Sequence, residues 1–236
     1  MSNSPFPQTG SIPSAIASDV RVSAFLRRVY YWMFLGLGVT ALVATFVASS
    51  PSIVQALAAN RLLFFGLLAG ELGLVFYLSA RVASMAPSTA ASLFIAYSAL
   101  NGVTLSLVLL AYTGASIATA FVVSAGMFGA LAVYGTVTQR SLAGWGSFLF
   151  MGLAGVVIAS IVGMFWQNDA MQFVISLVGV IVFTGLTAYD SQRLKAMALQ
   201  LSDGQVGSYA VSGALSLYLN FINLFLSLLR LMGNRR

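Results

Sequence analysis

The stretch Tyr209-Ala-Val-Ser-Gly-Ala-Leu-Ser-Leu-Tyr-Leu-Asn220-Phe-Ile-Asn223-Leu-Phe-Leu-Ser-Leu-Leu-Arg230-Leu231 is an apolar run whose strongly polar side chains are two asparagines and one arginine. As a helix it spans about 35 Å, enough to cross the roughly 30 Å hydrocarbon core of a bilayer. Lipid tails offer no hydrogen-bond partners, so such a segment must satisfy its own backbone as a helix. Six runs of similar kind precede it: Tyr30–Ser49, Leu62–Val82, Ser88–Tyr112, Ser116–Val137, Ala143–Phe165 and Met171–Tyr189. Ser50-Pro51-Ser52, Ala86-Pro87-Ser88, Thr113-Gly114 and Gln167-Asn168-Asp169 punctuate the joints. The pattern predicts an all-α, polytopic membrane protein with seven transmembrane helices and short loops.

Composition agrees: 59% of residues are hydrophobic and 7% charged, against about 25% charged in soluble domains, and mean hydropathy is +0.95. Cys and His are both absent, which excludes disulfides, thiol nucleophiles, Ser-His-Asp triads and His- or Cys-based zinc and haem sites. A rhomboid-like protease would need a His and a retinal pump a Lys in the seventh span. Neither is present, so the expectation is a protein that is not an enzyme and carries no cofactor. The net charge of +6 comes from basic residues scattered singly or in pairs, without the aromatic-interleaved patch of a nucleic-acid binder. The lipid bilayer is the partner this composition requires.

Residues 1–24 are rich in Ser and Pro and lack the apolar core and cleavage site of a signal peptide. They read as a disordered cytoplasmic tail, leaving 25–236 as the seven-helix transmembrane domain. With the N-terminus inside, Arg21, Arg27, Arg28, Arg81, Arg140, Arg193 and Lys195 are cytoplasmic, against Arg61, Arg230, Arg235 and Arg236 outside. This bias favours a cytoplasmic N-terminus and a periplasmic C-terminus.

Of five acidic residues, Glu71 and Asp190 sit within or at the end of apolar runs. A charge at mid-bilayer depth costs roughly 2.5–3.5 kcal/mol on insertion scales, so it persists where it pairs, faces water or takes up a proton. Asp190 is followed by Arg193 and Lys195 and could sit at the interface as a mere structural partner of either. Glu71 lies about 14 Å into the second span, and Arg81, ten residues on, is about 15 Å away along the helix. That is too far to pair. Arg230 is the arginine embedded in an apolar late-helix segment, and a Glu71–Arg230 ion pair is the plainest reading of both, static and fixing the second helix to the seventh or, alternatively, a gate. Asn101, Thr104, Ser106 and Asn223 could line a pathway or bond to neighbouring helices. Gly66-x-x-x-Gly70, with Gly73 nearby, and the Gly152/Gly155 pair read as close helix packing inside one bundle, a dimer face being the alternative. Trp32, Trp145 and Trp166 read as interfacial anchors.

Two segments reach beyond composition. The sixth span ends Thr187-Ala-Tyr-Asp190-Ser-Gln192-Arg193 and the seventh contains Leu217-Tyr-Leu-Asn220-Phe-Ile-Asn223-Leu-Phe-Leu-Ser-Leu-Leu-Arg230. They resemble the T-A-Y-D-x-Q and L-Y-L-D-F-I-N-L-F-L-x-L-L-R signatures of the Bax inhibitor family, the transmembrane Bax-inhibitor-motif proteins. Tyr31-Trp-Met-Phe-Leu-Gly-Leu-Gly-Val-Thr-Ala41 and Glu71-Leu-Gly-Leu support the resemblance, which extends over most of the chain after the tail.

The resemblance implies a bundle with the seventh helix central and the other six around it, in the inner membrane of a bacterium. It also implies a pH-sensitive calcium leak, or, in another bacterial branch, modulation of a membrane-anchored AAA protease. In the leak picture two aspartates, of the sixth and seventh helices, share a proton and line the path. A basic residue at the cytoplasmic end of the second helix latches the first aspartate, and the second-helix glutamate pairs with the late arginine. The matching positions are Asp190, Arg81, Glu71 and Arg230; the second aspartate is replaced by Asn220.

Asn220 cannot ionise, so the shared proton of a carboxylate pair is lost, although its amide can donate to Asp190 and preserve the packing. For the two to meet, the sixth helix must continue past Tyr189 through Arg193–Ala198. One Asp, one Asn and the oxygens of Thr187 and Ser191 make a weak, hydrated site for calcium, which prefers six to eight oxygen ligands. The expected mechanism is electrostatic: ionised Asp190 draws calcium or another cation, and Arg81 closes the path by pairing with it.

Overall fold

The computed structural model describes residues 14–235 apart from Gln167 and Asp203. Among these, the helices are α1 (Ser14–Ala48), α2 (Pro51–Ala59), α3 (Arg61–Arg81), α4 (Pro87–Ala111), α5 (Gly114–Val137), α6 (Ala143–Phe165), α7 (Asp169–Ala198) and α8 (Val206–Met232), with a 3₁₀ turn at Val82–Ser84. All but α2 are long and apolar enough to cross a membrane, giving an all-α polytopic membrane fold. Their boundaries follow local chemistry. Pro51 and Pro87 open α2 and α4, where a missing N–H costs nothing. Asn60, Thr113 and Asn168 accept from the first free backbone amides of α3, α5 and α7, satisfying donors the helix cannot.

Two boundaries differ from the sequence reading, and a third meets a condition it set. Within the expected tail, residues 1–13 lie outside the described ones, while Ser14 to Ala24 form the first turns of α1. The nine-residue α2 was not expected; at about 13 Å it is too short to span a bilayer, and hydropathy windows pass over it. Helix α7 runs nine residues past Tyr189, beyond the hydropathy run and as the Asp190–Asn220 contact required of the sixth helix. Its extension is held from outside. Gln192 donates to the Arg140 carbonyl at 2.9 Å and accepts from the Leu142 amide at 2.7 Å, while Lys195 donates to the Thr136 carbonyl at 2.8 Å. These bonds satisfy backbone groups at the α5–α6 joint, and Leu194 and Ala198 are buried.

The centre of the bundle is α8. Of its most apolar 18 residues 61% are buried, against 11% for α3 and for α6. Without a hydrophobic drive between helices in lipid, such placement rests on close packing and interhelical hydrogen bonds. Helix α8 packs chiefly against α1, α4, α5 and α7, whereas α3 lies chiefly on α4 and α6 on α7. The expected ring of six neighbours is therefore a ring of four with two outlying helices.

Close approach uses other glycines than those singled out in the sequence. At Gly135 a Cβ would fall on the Ala188 carbonyl, and at Gly102 it would lie 2.7 Å from the Thr40 carbonyl oxygen. Gly66, Gly70, Gly73 and Gly155 meet nothing within 4 Å, so the internal-packing reading fails for them; Gly152 does pack against Val182.

Successive crossings gather Arg27, Arg28, Arg81, Arg140, Arg193 and Lys195 at one end of the bundle and leave Arg61, Arg230 and Arg235 at the other. At the basic end Arg21 donates to the Leu201 carbonyl, just past the C-terminus of α7, where a cation is favoured by the helix dipole. At the opposite end the segment after α8 is clipped to the α4–α5 joint: the Thr113 amide donates to Asn234 at 3.1 Å, and the Arg235 guanidinium lies 5.9 Å from the Tyr112 ring centre.

Candidate functional site

Asp190 and Asn220 meet at the seam of α7 and α8. The Asn220 amide donates to Asp190 Oδ2 at 2.7 Å, a contact made possible by the extension of α7 beyond Tyr189. Asn220 is only 5% exposed, so its amide would otherwise be a buried polar group without water to satisfy it. No ion pair reaches Asp190 among the described residues; Arg193, one turn further along α7, is a nearby positive charge.

The neighbouring hydroxyls do not turn toward Asp190 as expected for a calcium site. Thr187 donates to the Phe183 carbonyl and Ser191 to the Thr187 carbonyl, both at 2.7 Å. Tyr30 of α1 lies near Ser191. Tyr30 lines a cleft of about 330 Å³ between α1 and α5 that reaches Phe221 of α8. The cleft is lined mostly by apolar side chains, and neither Asp190 nor Asn220 is among its lining residues. Tyr30 was missed in the sequence, though a Tyr within an apolar run signals a hydroxyl in need of a partner.

Arg81 is not brought to Asp190. It is exposed at the end of α3, which packs chiefly against α4, and no hydrogen bond or ion pair joins it to Asp190 among the described residues. Nor does Glu71 reach Arg230. Glu71 is ten residues, about 15 Å, from the start of α3, while Arg230 is two residues, about 3 Å, from the end of α8. These helix ends lie at the same face of the bundle, so the two groups differ in depth by about 12 Å. Glu71 accepts instead from the Thr104 hydroxyl of α4. Arg230 is exposed at the outer turn, near Tyr112 and Arg235. Of the other polar candidates, Ser106 and Asn223 bond to carbonyls of their own helices.

A family model described as Inhibitor of apoptosis-promoting Bax1 matches residues 22–236. The chain belongs to the Bax inhibitor family. The inner membrane protein YbhL of Escherichia coli K12 is 45% identical over 234 residues, covering 98% of this chain and 99% of its own. Proteins of Borreliella burgdorferi and Deinococcus radiodurans, both described only as uncharacterized, are each 42% identical; the matches cover 90% and 92% of this chain and 92% of each relative. Within the Bax inhibitor family fold, what sets this chain apart from the signature it resembles is the Asp190–Asn220 bond, a carboxylate and an amide where the pattern has two carboxylates.

Proposed function

We propose that the protein is a slow cation leak, with calcium as the first candidate ion, and that Asp190 is the group that draws the ion into the bundle. The observation that carries this reading is the 2.7 Å bond from Asn220. A neutral amide fixes the carboxylate without cancelling its charge, whereas an arginine would neutralise it. Arg193, the nearby cation, takes over the modulating role expected of Arg81. Few oxygens turn toward Asp190, so any ion there keeps most of its water, which suits a leak better than a tight sensor.

The name of the Escherichia coli relative and the basic end of the bundle support placement in a bacterial inner membrane, N-terminus cytoplasmic and C-terminus periplasmic. The experiment is ion flux into proteoliposomes of the pure protein, with calcium, sodium and potassium compared. Calcium entry above that of protein-free vesicles is expected. No entry of any cation would discard the leak and leave the non-transporting regulator of a membrane partner, such as an AAA protease, as the reading to pursue.

A further inference from the structure

Glu71 lies in a second polar cluster, separate from Asp190, with one unmatched negative charge. It is 7% exposed, and no ion pair reaches it among the described residues; its hydrogen bond comes from Thr104. On α4 the residues Tyr97, Asn101 and Thr104 follow at spacings of four and three, so they share one face. Tyr97 and Tyr218 lie near enough to Glu71 to feel its charge. The two phenol rings stack edge to face at 5.9 Å, and Tyr218 is anchored by Thr40 of α1 at 2.7 Å. Within this face the Asn101 Oδ1 atom is buried with no donor.

A buried carboxylate without a counter-charge, held by Thr104 one turn from a buried oxygen without a donor on the same face of α4, is an arrangement short of one positive charge. We propose that Glu71, Asn101, Thr104 and Tyr97 bind a single monovalent cation, sodium or its competitor the proton, at the α3–α4 seam against α8. The donor set is all oxygen, which selects hard cations. One carboxylate balances one charge, so a divalent ion would leave a buried excess. A proton on Glu71 would meet the same need, its O–H serving the Asn101 oxygen. The titratable groups facing Glu71 are Tyr97 from α4 and Tyr218 from α8.

The test is thermal unfolding of the full-length protein in detergent, titrated with sodium chloride while N-methylglucamine chloride holds ionic strength constant. A saturating rise in Tm with sodium is expected, larger at mildly alkaline than at mildly acidic pH because protons compete. The near-isosteric Glu71→Gln should abolish the sodium dependence. Asn101→Ala should raise the half-saturating concentration by about tenfold, the equivalent of about 1.4 kcal/mol. Asp190→Asn should leave the response intact. Absence of a sodium-dependent rise in the wild type at alkaline pH, an equal rise in Glu71→Gln, or loss of the rise in Asp190→Asn would each overturn the site.

Discussion

Asn220 donates its amide to Asp190 across 2.7 Å, tying the central helix α8 to α7 where α8 is buried against its neighbours. A hydrogen bond to a charged group is worth about 1.5–3 kcal/mol in soluble proteins, and bonds between membrane helices average less. Asn220→Ala should lower stability by about 1–2 kcal/mol, read as a lower Tm in detergent. An unchanged Tm would mean the bond carries no weight.

Replacing the amide by a second carboxylate creates a pair that takes up and releases protons in coupled steps. Asn220→Asp should therefore introduce a step in cation flux with pH that the wild type lacks. A wild type that already switches steeply near neutral pH would place the proton sensor elsewhere, with Glu71 the first group to examine.

Arg193 and Arg81 can be separated by the same flux assay. Arg193 is a positive charge near Asp190, so Arg193→Ala should raise basal leak. Arg81 stands exposed on a helix packed against α4, and Arg81→Ala should leave the leak nearly unchanged. The reverse ranking would restore Arg81 as the latch.

Glu71 bonds to Thr104 and not to Arg230. In a double-mutant cycle Glu71→Gln and Arg230→Ala should add within about 0.5 kcal/mol, whereas Glu71→Gln and Thr104→Val should show a coupling of about 0.5–3 kcal/mol. Coupling in the first cycle would bring the arginine back to the glutamate.

Two glycines offer a control on the packing itself. At Gly135 an added methyl would strike the Ala188 carbonyl, backbone against backbone, so Gly135→Ala should destabilise by about 1–3 kcal/mol. Gly66 has open space around it, and Gly66→Ala should be neutral within about 0.5 kcal/mol.

What the sequence made legible follows from where information is local. Seven apolar runs and their Pro, Gly and Asn joints depend on nearest neighbours, and they locate the membrane spans. The signature around Asp190 and Asn220 told which two helices meet. Hydropathy ends the sixth span at Tyr189, and its continuation to Ala198 was legible only through the requirement that Asp190 and Asn220 meet, because the bonds that hold it run from Gln192 and Lys195 to an α5–α6 joint some fifty residues away. Glu71–Arg230 failed for a related reason: charge balance suggests a partner, but only depth in the bundle decides whether the two can touch. The G-x-x-x-G at Gly66 misled because small residues mark a possible approach, and α3 turns that face outward.

The most direct measurement is calcium entry into proteoliposomes of wild type and Asp190→Ala, reconstituted side by side with folded fraction checked by Tm. The leak account predicts that wild type admits calcium and that Asp190→Ala reduces entry to the level of empty vesicles while remaining folded. Undiminished entry through the folded Asp190→Ala protein would contradict it.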